Sequence, residues 1–418
     1  MRMKRIFTTL MAVAATVAAM AQTLSVKEGS VTWLYDANTL TAPMSFADGA
    51  VLVGEHTYAL AGTEMTVDAT AIEKKVVSIE YVEGTTACVV APGAFADLLT
   101  IKVEGANVDI TADASLSDEI TYRLQGTGAS FVLHGDYKST VVLGGVSLTS
   151  TGKVPALWVD NGKRIEFQTA EGTENTFTDS PANEKKGAFY VKGHAEWKGA
   201  GNVSISGLAS HAYNSKEYTL FKNSFTGEFR ILASKGDGLH IEQYLQVNNG
   251  TISVAGNLGD GIDVGYVYED DETTIAGEEN NGQFIMNGGT ITVAAEADGT
   301  KGVKCEDKMT ITAGRINATA NGDGTRGISA GTDLYLGTEG GTDLEAAYLY
   351  LVANGSEYTD PETGDTDKCR GLKVKQNFYH YPSTVERDAA STVTKKKIVD
   401  VDGTYFALGG KLVNITVE

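Results

Sequence analysis

Apolar and polar residues alternate along most of this chain, in short runs that each follow a glycine. Gly201-Asn-Val203-Ser-Ile205 is one such run. Gly227-Glu-Phe229-Arg-Ile231, Gly250-Thr-Ile252-Ser-Val254, Gly289-Thr-Ile291-Thr-Val293 and Gly314-Arg-Ile316-Asn-Ala318 follow it. A period of two belongs to a strand with one buried face. The leading glycine supplies a turn with φ/ψ that other residues resist. The steps between runs are 26, 23, 39 and 25 residues, and an earlier copy, Gly144-Gly-Val146-Ser-Leu148, lies 57 residues before Gly201. Steps in the twenties, with strands and no helical periodicity, predict an all-β chain wound as a right-handed parallel β-helix, a solenoid. The frame of leucine-rich repeats is missing, and so is the nine-residue aspartate period of calcium-binding nonapeptides.

The pattern divides the chain. Arg2, Lys4 and Arg5 precede an apolar run from Ile6 to Ala19 and a small-residue site, Ala19-Met20-Ala21, so residues 1–21 read as a signal peptide. Residues 22–115 form strands without the repeat and read as an N-terminal β region or cap. Residues 116–380 carry the predicted β-helix, and 381–418 a C-terminal β tail of one or two hairpins. The 39-residue step leaves a surplus between Gly265 and Gly282 that reads as a protruding acidic loop, and Gly355 to Asp365 reads as another polar loop.

Composition narrows the partners. The net charge is −20, and it becomes −23 once the three cations of residues 1–21 are removed. Such a surface repels nucleic acid and anionic membranes and attracts cations. No second apolar stretch of membrane length follows, which predicts an exported chain: periplasmic, cell-surface or extracellular. Cys88, Cys305 and Cys369 are too few for a disulfide framework, and no Cys/His cluster suggests zinc. His211 and His240 read as structural groups. Trp33, Trp158 and Trp197 show no platform spacing and read as packing residues. Nothing in the chain sets an oligomeric state.

A second motif runs beside the first. Asp-x-x-[Lys/Arg]-Gly occurs at Asp298, Asp323 and Asp367, and a shorter relative, Asp-Gly-apolar, at Asp237 and Asp260, the latter followed by Asp263. Stacked one turn apart, these carboxylates would repel unless hydrogen-bonded, protonated or bridged. Calcium accepts irregular shells of carboxylate and carbonyl oxygen, so Asp237, Asp260, Asp263, Asp298 and Asp323 are candidate calcium ligands. Asp-Gly is also a common turn dipeptide, because Asp caps local amides. Lys301, Arg326 and Arg370, with Lys304 and Lys373, form a basic column. It would either neutralise the aspartates or hold the carboxylates of an acidic glycan.

The stretches "YRLQGTGASFVLHGDYKSTVVLGGVSLTS", "NGKRIEFQTAEGTENTFTDS" and "KKGAFYVKGHAEWKGAGNVSISG", with "HAYNSKEY" and "NGGTITVAA", resemble a family of exported bacterial carbohydrate-binding β-helix proteins, distantly pectate-lyase-like in fold. The resemblance runs from about Tyr122 to Lys373. It implies calcium at the turns and binding of plant cell-wall polysaccharide such as pectic acid or cellulose, without established catalysis. Two turns carry Thr-Lys-Gly or Thr-Arg-Gly in place of a plain Asp-Gly, which departs from the pattern. Two other readings stay open: a polysaccharide lyase of the pectate type, betrayed by unsaturated products, and a surface adhesin or structural rod.

Overall fold

The alternation seen in the sequence is carried by the structure. In Leu157–Asn161, Ile165–Thr169 and Ala347–Ala353 every second side chain is buried. The computed structural model describes residues 22–40 and 44–417; the expected signal peptide lies outside the described residues. The described chain is all β apart from one short 3-10 turn, Gly93–Phe95. No helix among these residues is long and apolar enough to cross a membrane. Strands gather into a 23-stranded and a twelve-stranded sheet, with two small satellites.

The expectation of a right-handed parallel β-helix solenoid is corrected by the strand pairing. Ser139–Thr149 pairs with Ile165–Thr169, then Ala195–Gly199, Thr219–Phe225, Tyr244–Val247 and Gln283–Ala295 follow in turn. Gln283–Ala295 pairs also with Thr251–Val254, and the path returns through Glu228–Ser234, Asn202–Gly207 and Glu174–Thr178 to Ser139–Thr149. Every step is parallel and the ring closes. The fold is a closed ten-strand parallel β-barrel with extra strands.

Two long strands close that ring, and their glycines explain why the sequence pointed elsewhere. Gly144-Gly145 and Gly288-Gly289 had the look of turns between strands. Instead the chain stays extended through them and bends, with φ of +85° at Gly145 and +79° at Gly289. Residues before the bend pair with one neighbour and residues after it with another. Only glycine takes that φ without strain.

Asn175 fixes the first bend. It is fully buried, its Oδ1 accepts the amides of Gly145 (3.0 Å) and Val146 (3.1 Å), and its Nδ2 donates to the Asn202 carbonyl (2.9 Å). A buried amide left without its acceptor costs about 1–3 kcal/mol. Asn175→Ala is therefore expected to lower the urea midpoint by the equivalent of about 2–3 kcal/mol. An unchanged midpoint would show that the bend holds without it.

The barrel interior is filled by aromatic rings. Phe167, Phe177, Trp197, Phe221 and Phe229 of the ring strands are fully buried, Phe189 and Tyr213 of the twelve-stranded sheet pack against them, and Trp197 stacks on Phe167 at 4.7 Å. At the N-terminal side, Val76–Val82 and Thr86–Pro92 form an antiparallel pair, and Val76–Val82 continues in parallel into Ile120–Gly128. The tail makes no hairpin: Tyr405–Ala407 and Lys411–Val413 pair in parallel with Phe378–His380 and Thr384–Arg387. Cys305 and Cys369 are buried free thiols and Cys88 is an exposed one.

The twelve-stranded sheet positions the site. Its run Leu157–Asn161, Gly187–Val191, His211–Ser215, Leu239–Glu242, Ile262–Gly265, Lys301–Cys305, Arg326–Ala330, Arg370–Val374 and Val399–Val401 is parallel throughout. Leu157, Val159, Phe189, Tyr213, Ile241 and Val264 face the core. The alternate residues face outward.

Candidate functional site

The outward positions of this sheet stand in register. Trp158 lies opposite Tyr190, Tyr190 opposite Asn214, Asn214 opposite His240, His240 opposite Asp263 and Asp263 opposite Lys304. Neighbouring strands are about 4.8 Å apart, so these side chains form one outward row. An open cleft of about 330 Å³ lies over the column. Glu184, Lys185, Lys186, Tyr190, His211, Asn214, Lys216, His240 and Glu242 line it.

Cations collect in this cleft although the chain is strongly acidic. Lys185 lies over the Trp158 ring at 4.4 Å, and His134 meets that ring edge-on at 4.9 Å. Lys216 contacts Glu242, yet burial and the Lys186 ammonium pull its pKa below the ordinary lysine value. The Trp158 Nε1 is buried without a hydrogen-bond partner, a donor in search of an acceptor. Trp158 and Tyr190 therefore form an aromatic strip beside three ammonium groups.

The predicted aspartates are split between two places. Asp237, Asp260 and Asp263 gather at one end of the cleft with His211, His240 and Lys304, whereas Asp298 and Asp323 lie on exposed turns further along. All but Asp263 do the same local work. Asp237 Oδ1 accepts the Asp260 amide (2.8 Å), Asp260 Oδ1 the Lys301 amide (2.7 Å), Asp298 Oδ1 the Asp323 amide (2.8 Å) and Asp323 Oδ1 the Ser356 amide (2.7 Å). Each carboxylate thus ties its turn to the next one along the sheet.

Charge in the first group is matched internally. Lys304 lies 3.1 Å from Asp263 and 2.7 Å from Glu306. Burial raises the Asp260 pKa to about 6, with Lys301 pulling the other way. Burial opposes a proton on His240, but hydrogen bonds to Asp237 and Asp263 outweigh it and lift the imidazole to about 9. Asp263 is lowered: burial opposes its charge, and His240 and Lys304 prevail.

The basic column is in register, Lys301 opposite Arg326 and Arg326 opposite Arg370. Its heads are occupied by the protein itself. Lys301 Nζ donates to the Gly299 carbonyl at 2.6 Å, Arg326 pairs with Asp367 at 2.5 Å, and Arg370 and Lys373 each lie 3.3 Å from Asp400.

Calcium fits the two aspartate groups differently. Around Asp237, Asp260 and Asp263 the carboxylate oxygens face amides, imidazoles and an ammonium, a donor set unlike the all-oxygen shell that calcium takes. Asp298 and Asp323 each spend one oxygen on an amide and stand exposed.

The sequence reading missed the cleft itself. Lys185-Lys186, Lys216 and the two histidines come from three segments at unequal offsets. The available signal was the pair of aromatic residues, Trp158 and Tyr190, each preceding a buried valine in its strand.

No curated protein matches the chain. Among solved structures it is similar to a polysaccharide lyase-like protein from C. thermocellum, solved as a gadolinium derivative, at 16% identity over 62% of this chain and 93% of that one, with a TM-score of 0.45. A family model described as carbohydrate-binding domain-containing protein matches residues 104–407, a span that holds the whole cleft and every candidate residue above. The chain belongs to the carbohydrate-binding domain-containing protein family.

Proposed function

We propose that this chain binds an acidic, uronate-bearing polysaccharide lengthwise over the outer face of the twelve-stranded sheet, as an exported binding protein. One observation carries the reading: in a chain of net charge −20, Lys185, Lys186 and Lys216 line one cleft beside Trp158 and Tyr190. Ammonium groups pair with uronate carboxylates, and aromatic faces pack against the C–H faces of sugar rings. The cleft is open to solvent, which suits one segment of a long polymer.

Calcium belongs to this proposal as a bridge at Asp298 and Asp323, where exposed carboxylates could share an ion with a bound uronate. The test is affinity electrophoresis in polygalacturonate, with calcium and with chelator, using wild type and Lys186→Ala/Lys216→Ala. The double variant is expected to bind at least tenfold more weakly, a loss of about 1.4 kcal/mol, in either medium. Unaltered retention of the double variant would overturn the cleft as the site. If chelator alone abolished retention, the Asp298–Asp323 edge would take its place. Ultraviolet absorbance appearing in the polymer would mark a lyase instead.

A further inference from the structure

His211, Asp237 and His240 make a donor arrangement that the glycan reading does not use. His211 Nδ1 lies 3.1 Å and His240 Nδ1 3.0 Å from the same oxygen, Asp237 Oδ2. The two imidazoles stack at 4.5 Å with 15° between their planes. The three donors lie within 4.8 Å of one another. Donors about 2.1 Å from one ion at right angles are about 3.0 Å apart, so the contacts to Asp237 Oδ2 have the edge length of a coordination polyhedron.

Hydrogen-bond accounting points the same way. The Asp237 amide donates to His211 Nδ1 at 3.0 Å. That nitrogen is therefore an acceptor, with its proton on Nε2. It cannot also donate to Asp237 Oδ2, yet it sits 3.1 Å from it. Two acceptors at that distance repel unless a proton or a metal ion is shared between them, and a metal at Nδ1 would take over the lone pair that the Asp237 amide now faces. On the other side His240 Nδ1 is shared between Asp237 Oδ2 and Asp263 Oδ2, the latter at 3.2 Å, so an ion entering there displaces one imidazole proton and meets two carboxylates.

The backbone prepares the site. Asp237 Oδ1 is held by the Asp260 amide, which aims Oδ2 at the imidazoles. His211 opens its strand and His240 sits in the adjacent one, so the sheet register sets their spacing. Both histidines line the cleft, which leaves the remaining coordination positions open to solvent. Two imidazoles with one carboxylate suit borderline first-row ions and disfavour calcium. We propose that His211, Asp237 and His240 bind one divalent first-row transition ion, of the zinc or cobalt type, with Asp263 as a neighbouring carboxylate.

Cobalt chloride alone, titrated into the metal-free full chain in mildly alkaline buffer, tests this without any glycan. Visible d–d absorption should rise to one equivalent and be displaced by zinc. His211→Gln and His240→Gln should each weaken binding at least tenfold, while His134→Gln, which removes a histidine of the same sheet outside the cleft, should leave it unchanged. Absence of the bands in the wild-type protein would overturn the proposal regardless of how the variants fold. Bands that persist in His211→Gln/His240→Gln would place the ion elsewhere and overturn it as well. Loss of polysaccharide retention with the cobalt bands intact would refute only the glycan reading.

Discussion

Trp197→Ala should lower the stability of this protein by about 3–5 kcal/mol, the range for emptying a large buried aromatic site. Trp197 is fully buried and is the hub of the barrel interior. It stacks on Phe167 and Phe221, meets Phe229 nearly edge-on at 5.0 Å and contacts Phe189 at 5.4 Å. Phe167, Phe221 and Phe229 come from strands of the closed ring and Phe189 from the twelve-stranded sheet, so they cannot collapse into the void without breaking the register that holds them. Trp197→Phe is expected to cost clearly less. It keeps a stacked ring and removes an indole N–H that is buried without a partner. Guanidinium denaturation of the three proteins checks the order: both variants should shift in midpoint with little change in slope. Equal losses for Ala and Phe would mean that a ring kept at this position contributes nothing to stability.

The same ring shows how far the sequence could be read. Alternating runs such as Val203-Ser-Ile205 and Ile252-Ser-Val254 were legible because a half-buried strand must alternate. The parallel register of Lys301 with Arg326 and Arg370 was legible for the same reason, since the motif repeats with the strands. Closure was not legible. Gly144-Gly145 and Gly288-Gly289 look identical in sequence whether the chain turns or bends, and only the pairing of the residues on either side decides it. The aspartate column illustrates a second limit. Its alignment could be inferred, but Asp237, Asp260, Asp298 and Asp323 each hold a backbone amide of the following turn, and amides leave no mark in a sequence. The lysine cleft was hidden because its residues sit at the mouths of turns, where spacing varies.

Acid should loosen the far end of the molecule first, through His380. This imidazole is fully buried beneath Phe378, which stacks on it at 5.0 Å. Its Nδ1 shares a hydrogen bond with the Tyr405 hydroxyl at 2.9 Å, and its Nε2 has no partner. Gly410 packs so closely over the ring that a Cβ there would lie 2.1 Å from it, which leaves no room for water to solvate a charge. Burial therefore lowers the His380 pKa from 6.5 to about 4. Between those values the unfolded chain binds a proton that the folded chain refuses, so stability rises with pH across this window. The contribution is whole above about pH 6.5 and is lost as the pH falls toward 4. A displacement of that size corresponds to about 3 kcal/mol. His380→Phe keeps a stacked ring and cannot titrate, so its stability should be flat in pH relative to wild type over the same window, although Tyr405 loses a partner. Hydrogen exchange at Tyr405–Ala407 and Lys411–Val413, which pair next to this residue, should accelerate in acid before the barrel strands do. Parallel pH profiles for wild type and His380→Phe would show that the imidazole is already charged in the folded protein and that the seal over it is open.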